Sequence, residues 1–106
     1  MVGEKFTIGK VTQLTGVRTT KINRCVDSGL IHFTRDPSSD FRLFDENAVR
    51  ILNIYHALDM LRLKLTHNEI CMTISLFTVD QLEEYNKKGH DALLKFITHH
   101  WGEIRP

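Results

Sequence analysis

Two glycines near the start of the sequence mark the ends of two short amphipathic segments, one at Gly16 and one at Gly29. In the first segment, Thr7 is positioned to cap the N-terminus of a helix. Three apolar residues then share one face of that helix: Ile8, Val11 and Leu14. The first helix is therefore predicted to begin after Thr7 and to stop at Gly16.

The second segment is predicted to start at Thr19 or Thr20. Ile22 and Val26 are four positions apart, so both are expected to point inward from one helical face. Gly29 is suited to the left-handed turn that closes helices. Together the two segments predict a helix, a tight glycine turn and a second helix.

The pattern after Gly29 changes to short extended runs at 31–35 and 41–44. The four residues between them, Pro-Ser-Ser-Asp at 37–40, favour turns. A β-hairpin is therefore predicted to follow the second helix.

Two further helices are predicted after the hairpin. Asp45 is positioned to cap the first of them, which is expected to reach about Leu63. Its inward residues are predicted to be Val49, Leu52, Ile54, Tyr55, Leu58 and Leu61. Thr66 and Glu69 form a capping box of the T-x-x-E type, which opens the next helix. That helix carries three apolar residues inward: Ile70, Ile74 and Phe77.

The C-terminal segment, residues 78–106, has apolar residues close to a single helical stripe. Gly89 disfavours a helix by about 1 kcal/mol relative to alanine, so the segment is predicted to form either one helix or two helices broken near Lys88 and Gly89. The stripe either contacts a second copy or a partner protein, which the sequence favours, or folds back onto the chain's own domain. Its main residues are Leu82, Leu93, Phe96, Ile97 and Trp101.

Composition and charge indicate a folded protein with one basic region. The chain has 106 residues, of which 42% are apolar and 25% charged, and this suits one globular domain with a short tail. Residues 1–44 contain seven basic and four acidic side chains, although the net charge of the chain is only +1. Such a distribution suits a surface that binds a polyanion.

No apolar run approaches the roughly 18 residues that span a bilayer, and the N-terminus lacks the layout of a signal peptide. We therefore expect a cytoplasmic protein without a membrane partner.

The cysteines and histidines argue against a metal site or a catalytic centre. Cys25 and Cys71 have no CxxC or C-x-H companion, and Cys25 is expected to be a small buried hydrophobe instead of a redox sensor. The adjacent His99 and His100 cannot share one side of a helix. No nucleophile and base, phosphate-binding glycine loop or H-E-x-x-H spacing is visible, so we expect no enzyme, no bound metal and no cofactor.

Three groups of residues have the order and spacing of a known DNA-binding domain. Residues 6–11 are FTIGKV, residues 15–17 are TGV, and residues 29–31 are GLI. They resemble the Y-T-I-G-E-hydrophobic, T-G-V and G-L-hydrophobic motifs of the MerR family, and Ile22 stands where that family also has isoleucine.

The hairpin extends this resemblance, which covers residues 6–77. Arg35, followed by DFRLF at 40–44, looks like the family's wing, an arginine followed by G-Y-R-x-Y. Two glycines of the family are replaced, by Asp40 in the hairpin and by Lys64 before the fourth helix. These replacements raise the question of whether the two turns are altered.

The resemblance implies a mostly α fold, a winged helix-turn-helix with a two-stranded wing, two further helices and a C-terminal helical segment. Residues 1–77 are then the DNA-binding domain, and residues 78–106 are a segment for dimerisation or partner binding. The implied function is sequence-specific binding of double-stranded DNA by a bacterial or phage transcription regulator, typically a homodimer on two-fold symmetric sites. We expect no effector-binding domain and no small-molecule sensing.

By the same resemblance, the second helix enters the major groove and the wing contacts phosphates. The implied DNA-binding residues are Arg18, Thr19, Thr20, Lys21, Asn23, Arg24, Arg35 and Arg42. Asn23 is able to pair with adenine, and Arg24 with guanine or a phosphate. The alternative for Arg35 and Arg42 is that they are solvated charges of the hairpin.

Residues 23–26, NRCV, differ from the R-Y-Y-E that is usual in the family, so the family's DNA sequence preference does not carry over. Two other functions remain open. One is a DNA-architectural or recombination accessory factor, similar to small winged excisionases or phage packaging subunits. The other is a protein-interaction adaptor on a winged-helix scaffold that has lost DNA binding.

Overall fold

The computed structural model of the protein describes residues 4–105. Within this range the chain is mostly helical and has one small antiparallel sheet of three strands, which confirms the predicted mostly α class. The chain divides into two compact units, Met1–Asn53 (unit 1) and Ile54–Pro106 (unit 2). The domain boundary expected after residue 77 stays a prediction. No helix among the described residues is long and apolar enough to cross a bilayer.

Unit 1 contains the sheet and the first helices. Its elements are β1 (Phe6–Thr7), α1 (Ile8–Thr15), α2 (Thr19–Asp27), β2 (Thr34–Arg35), β3 (Arg42–Phe44) and the first part of α3 (Glu46–Asp59). The central strand is β3, with β1 and β2 antiparallel on either side of it. The predicted hairpin is confirmed as β2 and β3. The sequence does not predict β1, because two residues are too few for an alternating pattern to show.

Both predicted ends of α1 are confirmed. The hydroxyl of Thr7 accepts a hydrogen bond from the backbone N–H of Lys10 at 3.3 Å. Gly16 follows the helix in the left-handed conformation, with φ 76°. The chain therefore turns at Gly16 as its sequence predicts.

The predicted inward face of α1 is wrong at one position. Val11 is buried, but Leu14 is 45% exposed and Thr15 is buried in its place. Thr15 tolerates burial because its hydroxyl donates to the Val11 carbonyl at 2.8 Å and accepts from the Val17 N–H at 3.2 Å. The inward face therefore follows the four-residue spacing from Val11 to Thr15.

The end of α2 is a Schellman turn at Gly29, where φ is 80°. The Gly29 N–H donates to the Val26 carbonyl at 3.0 Å, and the Leu30 N–H donates to the Cys25 carbonyl at 2.9 Å. Cys25 is fully buried and Val26 only half-buried, so Cys25 takes the inward position near Ile22 that was predicted for Val26. This confirms that Cys25 packs as a small hydrophobe.

The helix α3 starts as predicted and ends earlier. A carboxylate oxygen of Asp45 accepts from the Ala48 N–H at 2.9 Å, which confirms the cap. The helix ends at Asp59 and not near Leu63. The Leu61 N–H donates to a carbonyl only three residues back, at 3.2 Å, so the four-residue ladder of the helix stops before this point.

The described residues of unit 2 form helices joined by turns. It contains the last part of α3, α4 (His67–Phe77), α5 (Val79–Lys88), α6 (His90–His99) and α7 (Trp101–Ile104). The capping box at the start of α4 is confirmed, with the Thr66 hydroxyl accepting from the Glu69 N–H and the Glu69 carboxylate accepting from the Thr66 N–H.

The C-terminal segment is broken at Gly89, which lies between α5 and α6 with φ 122°. These two helices pack against each other. The stripe expected to contact a second copy is therefore used inside unit 2. Four of its residues are buried in the unit's own core, and the fifth is half-buried: Leu82, Leu93, Phe96 and Ile97, then Trp101. This is the fold-back alternative.

Candidate nucleic-acid interface

A concave surface of unit 1 brings α2 close to the hairpin of β2 and β3. It encloses a cavity of about 730 Å³. The residues that line the cavity are Thr7, Ile8, Thr19, Asn23, Asp27, Phe41 and Arg42. Three of the eight predicted DNA-binding residues therefore share this cavity, namely Thr19 and Asn23 on α2 and Arg42 on the hairpin.

Arg42 and Asn23 make a direct contact between the hairpin and α2. The Arg42 Nη1 donates a hydrogen bond to Asn23 Oδ1 at 2.8 Å, although the residues are 19 positions apart in the sequence. Both side chains are half-buried. Since side chains alternate along a strand, Arg42 shares the face of β3 that carries the buried Phe44, and this directs the guanidinium towards the helices.

Phe33 supports both hairpin arginines and is not among the predicted site residues. Its ring centroid lies 4.6 Å from the guanidinium carbon of Arg42 and 5.4 Å from that of Arg35. The ring also lies 6.2 Å from the ring of Phe44. A signal is present in the sequence, because the spacing from Phe33 to Arg35 puts both side chains on one face of an extended chain.

Arg35 is held differently from Arg42. Its backbone lies opposite that of Arg42 in the β2–β3 register, but its side chain is 50% exposed. Its Nη1 donates to the Asp40 carbonyl at 3.0 Å and lies 3.7 Å from the Asp40 carboxylate. Arg42 forms no ion pair with a carboxylate of residues 4–105, so of the two hairpin arginines only Arg35 has its charge offset by a near neighbour.

The turn of the hairpin is closed by a second carboxylate. Asp36 Oδ1 accepts from the backbone N–H of Ser38 at 2.9 Å and from its hydroxyl at 2.8 Å. The backbone hydrogen bond from Ser38, followed by the one from its side chain, lowers the pKa of Asp36 below its ordinary value. The tip of the hairpin is therefore acidic, and its basic side chains lie nearer its base.

The remaining predicted residues lie along α2. Arg18, Thr19, Thr20 and Arg24 are exposed, and Lys21 is half-buried. Arg18 occupies the N-cap position, and its side chain makes no capping hydrogen bond. The first backbone N–H groups of a helix have no partner within it, so this N-terminus is able to accept an anion.

The structure shows no group of three or more metal-binding side chains among residues 4–105. Both cysteines are thiols.

Comparison with protein-family models, with curated proteins and with solved structures gives no match for this chain.

Proposed function

We propose that this protein binds double-stranded DNA through α2 and the β2–β3 hairpin, as a transcription regulator of the winged helix-turn-helix type that resembles the MerR family. The observation that carries the proposal is the hydrogen bond from Arg42 to Asn23, because it joins the hairpin and α2 into one concave surface. Further basic side chains lie on the same two elements, namely Arg18, Lys21 and Arg24 at α2 and Arg35 on the hairpin.

The dimensions of α2 suit a major groove. Its nine residues span about 14 Å at 1.5 Å per residue, and the groove is about 12 Å wide. Thr19 and Thr20 are exposed in its first turn, where recognition helices contact base edges. The N-cap side chain, Arg18, makes no hydrogen bond to the first turn of α2, and the backbone N–H groups at a helix N-terminus suit a phosphate.

Two backbone angles support the resemblance where the sequence departs from it. Asp40 and Lys64 replace glycines of the family, and both adopt the left-handed conformation, with φ 62° and 51°. That conformation favours glycine, so its retention by an aspartate and a lysine indicates that the two turns keep the shape expected of the family.

The two hairpin arginines are expected to differ in what they contribute. Arg42, which has no carboxylate partner among the described residues, keeps its full charge for a phosphate or a base. Arg35 must share its charge with Asp40, so its contribution is smaller.

The test measures, by fluorescence anisotropy, how tightly the full chain binds a random-sequence duplex at a series of salt concentrations. Phosphate neutralisation releases counterions, so we expect the logarithm of the association constant to fall linearly with the logarithm of the salt concentration. The steepness of this slope is about 0.9 for each phosphate contacted. Replacing Arg24 by alanine removes one exposed charge from α2, so we expect the steepness of the slope to decrease by about 1.

Lys95→Ala is the matched control for Arg24→Ala, because it removes one exposed positive charge from α6 in unit 2. We expect it to leave the slope unchanged. If the wild type shows no salt-dependent binding, or if both variants lower the slope equally, the proposal is wrong. Loss of all duplex binding leaves the adaptor function as the alternative.

Selection of preferred sites from random duplexes then separates the two DNA-binding functions. A single two-fold symmetric site bound by two copies supports a regulator, whereas cooperative binding to several direct repeats with DNA bending supports an architectural factor. Each copy is proposed to contribute one such surface to the duplex, and the apolar stripe expected to form a homodimer packs inside unit 2.

A further inference from the structure

The contact with Arg42 determines which half of the Asn23 amide is left for a ligand. A guanidinium has N–H donors and no acceptor, so the atom that it meets at 2.8 Å has to be the amide oxygen. The orientation of this amide therefore follows from its partner. The half that remains without a partner among the described residues is the N–H₂ group, which is a donor.

Arg42 is restrained on a second side as well. Its guanidinium lies over the Phe33 ring, and Phe33 in turn lies near the buried Phe44. A cation over an aromatic face is stabilised, more so where it is partly removed from water. The hydrogen bond to Asn23 is therefore formed before any ligand arrives.

The pair offers the cavity donors and a positive charge. An incoming N–H group that approaches the Asn23 oxygen meets the Arg42 charge a few ångströms away, and this is unfavourable. Adenine presents such an N–H group, its N6 amine, beside the N7 acceptor in the major groove. Guanine presents two acceptors there, N7 and O6, so it suits the donors that the Asn23–Arg42 pair offers.

We propose that Asn23 recognises guanine through its N–H₂ group while Arg42 holds its oxygen, so that Arg42 sets sequence preference as well as affinity. The inference rests on the proposed function, since it requires a duplex whose major groove contains α2. It differs from the adenine pairing that an asparagine makes with both halves of its amide available.

The experiment is site selection from random duplexes with the wild-type chain and with variants. Asn23→Ala first identifies the base pair in question, which is the one whose preference it abolishes. At that base pair the wild type is expected to prefer guanine over adenine roughly fivefold, the factor for one net hydrogen bond. Arg42→Ala is expected to weaken binding to all sequences and, at this base pair, to remove the guanine preference or shift it to adenine.

Two further variants keep the test decisive. Asn23→Asp retains an acceptor for Arg42 but has no N–H₂ group, so we expect it to lose the guanine preference even if Arg42→Ala does not fold. Arg35→Ala is the matched control for Arg42→Ala, because Arg35 contacts Asp40 within the hairpin and no residue of α2. We expect it to lower affinity and keep the preference.

The outcomes separate the inference from the proposed function. If Asn23→Ala alters no base pair, if the wild type prefers adenine at the affected base pair, or if Arg42→Ala keeps the guanine preference, the inference is wrong although the chain binds DNA. If the wild type shows no salt-dependent duplex binding, the proposed function fails and the inference fails with it.

Discussion

The two units are equal in length but use their side chains differently. Among the described residues, unit 1 buries eight apolar side chains and unit 2 buries thirteen. Unit 1 has eight basic and six acidic residues, whereas unit 2 has six and seven. Unit 1 thus combines the smaller core with the positive net charge, as expected of a surface that binds a polyanion.

Two polar contacts join elements within unit 1. The Arg42–Asn23 hydrogen bond joins the hairpin to α2, and the buried hydroxyl of Thr15 joins α1 to the turn after it. Unit 2 also contains polar contacts, such as the hydrogen bond from the buried Thr73 hydroxyl to the Glu69 carbonyl at 2.7 Å. It adds a cluster of rings, with Phe96 lying 4.3 Å from Tyr85 and 5.0 Å from Phe77. Because unit 2 buries more apolar side chains, we expect its core to contribute more to stability than the core of unit 1.

The largest effect is expected from the core of unit 2. Leu93 is 0% exposed, so Leu93→Ala is expected to lower the free energy of unfolding by about 2–5 kcal/mol. Urea unfolding followed by tryptophan fluorescence measures this, because the one tryptophan, Trp101, belongs to unit 2.

Leu76→Ala is the matched control for Leu93→Ala. It makes the same substitution in the same unit at a side chain that is 49% exposed, and we expect a loss below about 1 kcal/mol. Equal losses for the two variants would break the comparison between the units, because the core of unit 2 would then not depend on close packing at Leu93.

A smaller effect is expected in α1. Thr15→Val removes the acceptor of the buried Val17 N–H and is expected to cost about 1–3 kcal/mol. Thr12→Val is its control, because the Thr12 hydroxyl is buried without a partner among the described residues, and we expect stability to be unchanged or to rise.

Far-UV circular dichroism is the measurement for this pair, since both tyrosines and the tryptophan lie outside unit 1. If Thr12→Val destabilises as much as Thr15→Val, the effect comes from placing a methyl group where the hydroxyl was and not from the lost hydrogen bond. The claim that this polar contact stabilises unit 1 would then lose its support.

The parts of the fold that the sequence predicts are those with local causes. Thr7, Asp45 and the Thr66–Glu69 capping box each act within one helical turn, and Gly16 and Gly29 each close one turn. Such features involve three or four neighbouring residues, so the sequence displays them directly.

The parts that the sequence does not predict depend on residues far apart in the chain. Nothing local shows that Arg42 meets Asn23, that β1 joins the hairpin, or that the apolar stripe of 78–106 folds back. The candidate site was therefore predicted as a set of residues, including Asn23 and Arg42, but not as an arrangement. The contact that occupies the Asn23 oxygen, on which the proposed base preference rests, is visible only in the structure.

The smallest predicted effect concerns pH and belongs to unit 2. The hydrogen bond from Arg105, followed by the one from the Thr66 backbone, lowers the pKa of Glu69 to about 2. A carboxyl whose pKa is lower in the folded chain stabilises the fold fully above its ordinary pKa, near 4.5, and this contribution is lost as the pH falls towards 2. Because Arg105 is largely exposed, solvent screening keeps the effect small.

Comparison of the wild type with Glu69→Gln isolates this contribution. Thermal unfolding at about pH 5.5 and about pH 3 is expected to show a larger difference in Tm between the two proteins at the higher pH. Arg105→Ala removes the largest cause of the lowered pKa, so it should reduce that difference while Glu69 and its cap remain. A Glu69 carboxyl that titrates near 4.5 by NMR would show that the Arg105 contact does not persist in solution, and the capping box would then hold the start of α4 without help from the C-terminus.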